Sequence, residues 1–525
     1  MTPASPFLRH FSHLHISRLL LVFAVVLAIV IAAGCGGGSQ PKTPVLSGNT
    51  EVTVLLSSAA NDQLQLFQIG FSNLTLTNQS GQTVTLLSTQ AAQSAEFINI
   101  NGGASPLLTV SVPQGIYTAA SSTNLSFQFV CATFVPPNIL DTSTFADPFG
   151  GPDATINFPT PITITGTSMA LSLDLLVSQS ETFSACYNSG SLYTYTFTPT
   201  FNLSPLTLSP QPTNPGNGKL SGVHGEVSSI DAASNSFSVS LPVENGLQTV
   251  AITANSGTVY QGINDFSALA VGTFVDMDGA IQPSGSLVAT RIAVEDSSAV
   301  NILTGRVIYV VPSVTDINIV SRQEQGADFM NQEVFGGWAF NYGSAVFQIS
   351  GQLSNLQSLP FTPSFTASNM VAGQNIYLSA PAIPEEGPFV EARTITLIPQ
   401  TIDGTVAATS NSGNFTVYTV TLAPYDIFPA MAVQPQQITL LTDPSQVEVY
   451  IDSNTQMLNS EALAVGSTLL FNGLIFNDNG TLRMDCGQVN DGVAVQSGTQ
   501  AAVAGHSTQG GVVVHQYPEH LGASK

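Results

Sequence analysis

The sequence has few charged residues, and very few of these are basic. Asp, Glu, Lys and Arg make up 8% of the 525 residues, and 33 acidic residues stand against 10 basic ones, which gives a formal net charge of −23. Such a chain repels the phosphates of nucleic acids and the surfaces of anionic lipids. We therefore expect no nucleic-acid partner.

Histidine is also scarce, and six of the seven histidines lie near the two ends of the chain. Only His224 remains for the body. A serine or cysteine nucleophile needs a neighbouring base, and imidazole is the usual one. His224 directly precedes a Gly-x-Val segment typical of a strand, so we expect it at a strand edge or on the surface. The sequence predicts no catalytic residue, no enzymatic activity and no cofactor.

Long hydrophobic runs are absent except for one near the N-terminus. Residues 19–34 are sixteen uncharged, mostly apolar residues that follow a basic segment. A membrane-spanning helix needs about 20 such residues, so this run has the length of a signal-peptide core. A retained membrane helix and plain secretion stay open as alternatives.

The end of this run resembles the lipobox of bacterial lipoproteins. Ala32, Ala33 and Gly34 precede Cys35, with Ala32 at the place where that motif usually has leucine, and the glycine-rich GGGSQPKTP follows. The resemblance implies a lipoprotein signal peptide over residues 1–34, acylation of Cys35, and a flexible tether over residues 35–50. It implies a cell-envelope protein that is lipid-anchored to the outer membrane, with its body on the periplasmic or the surface face.

Only three other cysteines exist, and export would place them in an oxidising compartment. Cys131 and Cys186 lie in the same N-terminal region, so we predict a disulfide between them. Cys486 lies far away and is expected to be a buried free thiol. No Cys or His clusters near any of the three, so no metal site is expected.

The chain does contain a long succession of short β-type segments. Runs rich in Val, Thr, Ile, Leu and Phe alternate with Gly, Pro, Asn and Ser, which predicts an all-β protein. Over residues 51–203 these runs recur at intervals typical of a β-sandwich. The stretch LTVSVPQGIYTAASSTNLSFQF resembles domain-of-unknown-function family 4382 in its turn with Pro113, Gly115 and Tyr117, although the early aspartate of that family is displaced to Asp62. The Pro-rich residues 204–221 are predicted to be a linker.

After the linker, one pattern occurs three times, which indicates a repeat architecture. A Gly-x-Val opening comes first, at Gly225, Gly305 and Gly404. A second glycine follows within each unit, at Gly272, Gly373 and Gly466. One arginine lies near the end of each unit, at Arg291, Arg393 and Arg483. The predicted units span residues 222–296, 301–399 and 400–490, and residues 491–525 are predicted to be a disordered tail.

The first unit resembles domain-of-unknown-function family 5666 in its Gly-x-Val start, its Leu-x-Val-Gly centre and its Ala-Thr-Arg-Ile finish. Five or six antiparallel strands in each unit suggest a small closed barrel of the OB type. We therefore predict an N-terminal β-sandwich followed by three small OB-like β-barrel repeats.

The second unit carries a predicted insertion that is rich in aromatic residues. The insertion lies around QEQGADFMNQEVFGGWAFNYG and contains the only tryptophan of the chain, and its candidate binding residues are Phe335, Trp338, Phe340 and Tyr342. Stacked aromatic rings hold sugars, and the same residues can equally plug the end of a barrel.

The three repeated arginines allow two interpretations. Their recurrence in a chain so poor in basic residues suggests a binding site. A cross-strand ion pair, with the arginine stem covering apolar surface, explains the same pattern more simply, and we favour this structural role for Arg291, Arg393 and Arg483.

Acidic pairs in two loops provide the alternative of an enzyme. Asp147 and Asp153 flank DPFGGPD, and Glu385 and Glu386 stand in IPEEGPF. Two carboxylates at a suitable distance catalyse glycoside hydrolysis. Gly/Pro loops usually carry acids because they are solvated, and DPFGGPD lacks the alternating ligands of a calcium loop.

The expectation is therefore a non-enzymatic envelope protein that is bound to the lipid membrane through acylated Cys35. It would present a binding or adhesive surface to polysaccharide or to another envelope protein, because repeated β-modules gain avidity from weak sites. The alternative is a carboxylate-dependent, glycosidase-like envelope hydrolase.

Overall fold

The structure is a computed structural model, and it describes fourteen segments of the chain. These are residues 46–57, 66–100, 104–135, 139–147, 151–183, 195–206, 219–243, 246–282, 284–351, 356–383, 390–422, 427–432, 441–459 and 462–492. The predicted signal peptide, Cys35 and almost all of the predicted tail lie outside the described residues. The described residues from Gly48 onward form one compact unit.

The described residues before residue 207 contain thirteen strands and two short helices. They are β1 (Asn49–Ser57), β2 (Leu66–Asn78), β3 (Thr83–Glu96), α1 (Phe97–Ile100), β4 (Ala104–Pro113), β5 (Gly115–Ser121), β6 (Ser126–Val135), β7 (Ile139–Asp147), β8 (Thr155–Asn157), β9 (Ile162–Ile164), β10 (Ser168–Leu175), α2 (Val177–Ser180), β11 (Glu181–Phe183), β12 (Tyr195–Phe197) and β13 (Thr200–Pro205).

The described residues from 219 onward contain nineteen further strands, one α-helix, and two 3₁₀ helices at Phe266–Ala268 and Leu356–Ser358. They are β14 (Lys219–Asp231), β15 (Ser236–Val243), β16 (Gly246–Thr253), β17 (Val259–Gln261), β18 (Phe274–Ile281), β19 (Leu287–Val294), β20 (Asn301–Val311), β21 (Asp316–Gly326), β22 (Gln332–Asn341), β23 (Val346–Ile349), β24 (Asn375–Ala380), β25 (Val390–Glu391), β26 (Thr394–Leu397), β27 (Gln400–Ser412), β28 (Phe415–Leu422), α3 (Ile427–Ala432), β29 (Gln446–Ile451), β30 (Gln456–Met457), β31 (Thr468–Asp478) and β32 (Thr481–Asp491). The all-β prediction is confirmed.

The N-terminal strands form two main sheets that face each other. One has the order β4-β1-β10-β13-β8, and the other has the order β7-β6-β2-β5-β9 with β3 added to β2. Alternate residues of β1 and β2, such as Val52, Val54, Phe67 and Ile69, are fully buried in a shared core. Period-two alternation of this kind is what places one face of each strand inside a sandwich.

The turn with Pro113, Gly115 and Tyr117 joins β4 to β5. The Tyr117 side chain is buried, and its hydroxyl donates a hydrogen bond of 2.8 Å to the backbone carbonyl of Pro113. The tyrosine therefore closes the turn against the strand that precedes it, which explains the aromatic residue at this point of the motif.

Barrel 1 (β14–β19) and barrel 3 (β27–β32) are closed five-stranded barrels. Barrel 1 has the order β16-β15-β14-β18-β19, and parallel pairing of Thr253 with Val288 joins β16 to β19. Barrel 3 repeats this order as β29-β28-β27-β31-β32, and β29 runs parallel to β32. The first three strands form an antiparallel meander, the fourth pairs antiparallel with the first, and the fifth closes the barrel by pairing parallel to the third, which is the OB arrangement.

Barrel 2 (β20–β26) follows the same strand order with one interruption. Its last strand is divided into β25, which pairs with β22 at Phe340 and Val390, and β26, which pairs with β24. The segment predicted to be an insertion forms the end of β21, a turn and β22. These two strands have 11 and 10 residues, against 8 each for β15 and β16, so the insertion lengthens one hairpin of the barrel.

The Gly-x-Val openings have a steric explanation. A Cβ atom added to Gly225, Gly305 or Gly404 would lie 2.4 Å from an atom of the neighbouring strand, so only glycine fits. The valine two residues later is buried in the barrel core, at Val227, Val307 and Val406. The motif therefore marks the point where strand one of each barrel bends closely past strand two.

The barrels pack against the sandwich and against each other. Leu55, Ala104 and Ala170 of the sandwich share a buried cluster with barrel 1. Phe361 of barrel 2 packs on Tyr450 of barrel 3, with 5.1 Å between ring centroids. Within the described part of the chain, no helix has the length and apolar character that a bilayer span requires.

Candidate functional site

The predicted aromatic site lies on β22 and just after it, and the structure places its members differently. Phe340 and Tyr342 are buried in the core of barrel 2, with 0% and 4% of their surfaces exposed. Phe335 belongs to β22, but its side chain is outside the described set. Trp338 is half-buried and packs at the edge of the same core.

Trp338 points into one end of barrel 2, because it pairs across the ladder with the core residue Ile319. The ring centroids of Phe329 and Trp338 are 4.8 Å apart. The indole Nε1 of Trp338 donates a hydrogen bond to Glu324 Oε1, 2.5 Å away, and the Ser321 hydroxyl donates to the same oxygen at 2.6 Å. We call Ser321, Glu324, Phe329 and Trp338 the barrel-end cluster.

Glu324 is the charged member of the barrel-end cluster, and only 2% of its surface is exposed. Both hydrogen bonds to its carboxylate reach Oε1, and within the described residues no basic side chain forms an ion pair with it. Glu324 thus fixes the indole from inside the barrel, and the half-buried Trp338 ring offers an apolar surface of the kind on which a sugar ring stacks.

A second polar group lies where barrel 1 meets barrel 2. His224 Nδ1 of β14 is 3.3 Å from Asp276 Oδ1 of β18. Arg291 of β19 bridges both acids of that strand, with Nη2 2.7 Å from Asp276 Oδ2 and Nε 2.6 Å from Asp278 Oδ2. All four side chains are buried.

Tyr377 of barrel 2 covers His224. The two rings are nearly parallel, at 11°, with centroids 4.1 Å apart. Glu295, directly after β19, extends toward the hydroxyl groups of Tyr377, Ser379 and Thr394 of barrel 2. We call these eight residues, from His224 to Thr394, the inter-barrel cluster.

Burial controls protonation in the inter-barrel cluster. It lowers the pKa of His224 to about 3, with a further contribution from the positive Arg291, so the imidazole is neutral. Desolvation raises the pKa of Asp276 and of Glu295, while the two aspartates raise the pKa of Arg291 against the effect of its burial. Arg291 and its two aspartates are thus paired inside the protein beside a buried, neutral imidazole, whereas Glu295 is partly exposed.

The position of His224 differs from its predicted place at a strand edge or on the surface. β14 lies between β15 and β18, and the side chain is 5% exposed. The reason is long-range: the ring that covers it belongs to another repeat, so no local pattern reveals the burial.

The three repeated arginines do not occupy one equivalent position. Six residues after the second glycine of each unit, at Gly272, Gly373 and Gly466, stand Asp278, Ser379 and Asn472 respectively. Across the ladder these face Arg291, Thr394 and Gln488. Bulges and unequal turns between the last two strands shift the register. Arginines at similar sequence spacing therefore lie at different positions in their barrels.

Each arginine therefore has its own surroundings. Arg291 forms the buried cross-strand ion pair described above. Arg483 lies 3.2 Å from Glu448 and 3.1 Å from Asp478, and its guanidinium stands 5.2 Å above the Phe361 ring. Arg393 is exposed at the start of β26. Ion pairing is thus seen at two of the three positions.

The acidic pairs are not brought together by the described residues. Asp153 is exposed and accepts a hydrogen bond from the backbone N–H of Asn124 at 3.1 Å. Asp147 ends β7, but its side chain lies outside the described set, as do Glu385 and Glu386 altogether.

The cysteines are placed only in part. Cys131 belongs to β6 without a described side chain, and Cys186 lies outside the described residues. Cys486 is free and buried, as predicted. Its thiol donates a hydrogen bond to the Gln488 carbonyl at 3.2 Å, and burial raises the pKa of the thiol. Among the described residues, no group of three His, Cys, Asp or Glu side chains is arranged to hold a metal ion.

Sequence reasoning missed several residues of both clusters, among them Glu324, Asp276, Asp278 and Tyr377. One signal was available for the two aspartates. In VDMDGAI they alternate with the core residues Val275 and Met277, so they had to share the outer face of a strand next to the strand of Arg291.

Comparison with known proteins supports part of this description. Residues 224–293, which cover nearly all of barrel 1, match the family model "Domain of unknown function (DUF5666)". No curated protein matches the chain. The solved structure of "drosophila Unr CSD456" aligns with 53% of this chain and 99% of its own, at 10% identity and a TM-score of 0.12, and a similarity this low carries no argument.

Proposed function

We propose that this chain is a non-enzymatic cell-envelope protein, lipid-anchored to the outer membrane through Cys35, whose body binds an envelope polysaccharide. The observation that carries the binding role is the barrel-end cluster. The buried Glu324 carboxylate holds the half-buried Trp338 indole in place, and the apolar face of a glycan ring matches the exposed part of that indole.

The case against catalysis rests on how the titratable groups are used. Arg291 is paired with Asp276 and Asp278 where two barrels meet, and the neutral, buried imidazole of His224 has no access to a substrate. The net charge of −23 disfavours nucleic acid as the partner. Another envelope protein is the competing partner, and the test below separates it from a polysaccharide.

The anchoring role rests on the sequence before the body. The sixteen-residue apolar run, the Ala-Ala-Gly-Cys junction and the glycine-rich stretch behind it fit a processed and acylated N-terminus. The sandwich would be a divergent relative of domain-of-unknown-function family 4382, on the basis of the turn at Pro113, Gly115 and Tyr117.

The binding role is tested with purified polysaccharide from the native envelope, immobilised on a resin and freed of protein. The chain starting at Gly36 should be retained, and Trp338→Phe and Glu324→Gln should each reduce retention roughly tenfold, the effect of about 1.4 kcal/mol. Val314→Ala, an exposed valine on the same barrel, is the matched control and should bind as the unaltered chain does.

Two results would contradict the proposal. Equal retention of all four proteins would mean that the barrel-end cluster is not the site. No retention on polysaccharide, with retention on envelope proteins, would assign the surface to a protein partner.

A further inference from the structure

Each barrel has the same turn in front of its fourth strand. The backbone N–H groups of Gly272, Gly373 and Gly466 each donate a hydrogen bond of 2.8 Å to the valine of the Gly-x-Val motif of the same barrel. All three glycines have positive φ angles, of 84°, 103° and 95°. The three turns are thus equivalent in backbone geometry.

In barrel 2 this turn is covered by a helix. Val371 and Ala372 are 6% and 8% exposed, and they share a buried cluster with α3 of barrel 3. The Phe428 ring of α3 lies directly over Gly373, since a Cβ atom on that glycine would be 2.7 Å from the ring. The Phe428 ring therefore packs directly on the backbone of Gly373.

In barrels 1 and 3 the turn has an identical apolar sequence, and among the described residues no helix covers it. Ala-Leu-Ala-Val-Gly occurs at residues 268–272 and again at 462–466, and we call these two segments the ALAVG turns. Val271 and Val465 are 60% and 62% exposed. No described atom lies within 4 Å of a Cβ placed on Gly466, and on Gly272 the nearest is Glu226 Oε1 at 3.9 Å.

We propose that the two ALAVG turns are docking sites for an apolar helical segment of a partner protein, which seats an aromatic ring over the glycine as α3 does on barrel 2. The chemistry of the occupant follows from α3, whose buried side chains are Ile427, Phe428 and Met431. A single exposed valine is ordinary on a protein surface. Here, however, the same turn with an exposed valine and an uncovered glycine occurs in two barrels, and the equivalent turn of the third barrel is covered by α3.

A short helix on such a turn binds weakly. Each ALAVG turn offers one exposed valine and the space above its glycine, and helix-in-groove recognition depends on a few anchor side chains. Two ALAVG turns on one chain allow a partner with two helical segments to gain avidity. The acidic chain also favours a segment whose flanks are neutral or basic.

The experiment uses a peptide with the sequence of residues 424–434, PYDIFPAMAVQ, in which benzoylphenylalanine replaces Phe428. It is photocrosslinked to the full chain, and the adducts are mapped by mass spectrometry. We expect adducts at residues 268–272 and 462–466, competed by the unlabelled peptide and at least fivefold less by the same peptide with Phe428→Ala.

Variants of the chain locate the site. Val465→Asp should remove the adduct in barrel 3 and leave that in barrel 1, while Val271→Asp should do the reverse. Val314→Asp, an equally exposed valine outside these turns, should change neither adduct. Adducts that persist in the double variant, that fall only on residues 369–373, or that spread over the chain would overturn the proposal.

Discussion

The imidazole of His224 and the phenol of Tyr377 stack with 4.1 Å between their centroids, although the two residues belong to different barrels. The stack adjoins the buried ion pair of Asp276 and Arg291, since His224 Nδ1 lies 3.3 Å from Asp276 Oδ1. A ring of barrel 2 is therefore packed against the buried polar group of barrel 1.

Removal of the central cation should be strongly destabilising. Arg291→Ala leaves Asp276 and Asp278 buried without a counter-charge, and we expect a loss of about 3–5 kcal/mol in the free energy of unfolding. Urea denaturation followed by circular dichroism measures the loss.

Arg393 offers the matched control from the same sequence pattern. It is exposed, so Arg393→Ala should change the free energy of unfolding by less than about 0.5 kcal/mol. Similar losses in the free energy of unfolding for the two variants would contradict the conclusion that Arg291 and Arg393 occupy different surroundings.

The stability of the body should depend on pH through His224. Its pKa is about 3 in the folded protein and 6.5 in an exposed imidazole, so the unfolded chain binds a proton in this interval that the folded chain does not. The contribution of His224 to the free energy of unfolding is fully present well above pH 6.5. Below pH 6.5 it falls by about 1.4 kcal/mol per pH unit.

His224→Gln isolates this contribution. Asp276 and Glu295 have raised pKa values and act in the opposite direction, but both remain in the variant. Between pH 6.5 and 4.5 the unaltered protein should lose roughly 2.3 kcal/mol more than the variant. Parallel stability curves in urea would show that the imidazole is not buried neutral.

The cover over barrel 2 can be tested by adding one methyl group. Gly373→Ala and Gly466→Ala both place alanine at a positive φ, which costs about 1–2 kcal/mol. Only the first also meets a ring, so Gly373→Ala should cost about 1–3 kcal/mol more. In a Phe428→Ala background that excess should disappear, and an unchanged excess in this double-mutant cycle would place the helix elsewhere.

The anchor prediction is tested by metabolic labelling with a radioactive or alkyne-tagged fatty acid. Cys35→Ala should abolish the label and release the protein from the membrane fraction, because the thiol is the expected point of acylation. Cys486→Ala, which alters a buried thiol of the body, serves as the control and should keep the label. Label that persists after Cys35→Ala would contradict the assignment.

Local patterns predicted the fold class well. Alternation in β1 and β2, and the Gly-x-Val openings at Gly225, Gly305 and Gly404, depend on neighbours one or two residues away or on one adjacent strand, and such signals are visible in a single sequence. Recurrence of the pattern then indicated the repeats.

The functional residues were less predictable, because their surroundings are made by distant segments. The burial of His224 depends on Tyr377 of the next barrel, and the pairing of Arg291 depends on a bulge between Asp278 and Gly279. The aromatic segment was found from its composition, yet the placement of Trp338 beside Glu324 depends on the extended β21–β22 hairpin.

Strand β1 begins where the predicted tether ends, and it is a central strand: it pairs with β4 on one edge and with β10 on the other. Tension applied at its N-terminal end pulls it lengthwise between two neighbours. The hydrogen bonds on both edges are then loaded in shear together, so they resist rupture collectively, whereas an edge strand would peel away one bond at a time. A body that is held by this end, and pulled by whatever it binds, has its attachment in the strand best placed to carry mechanical load.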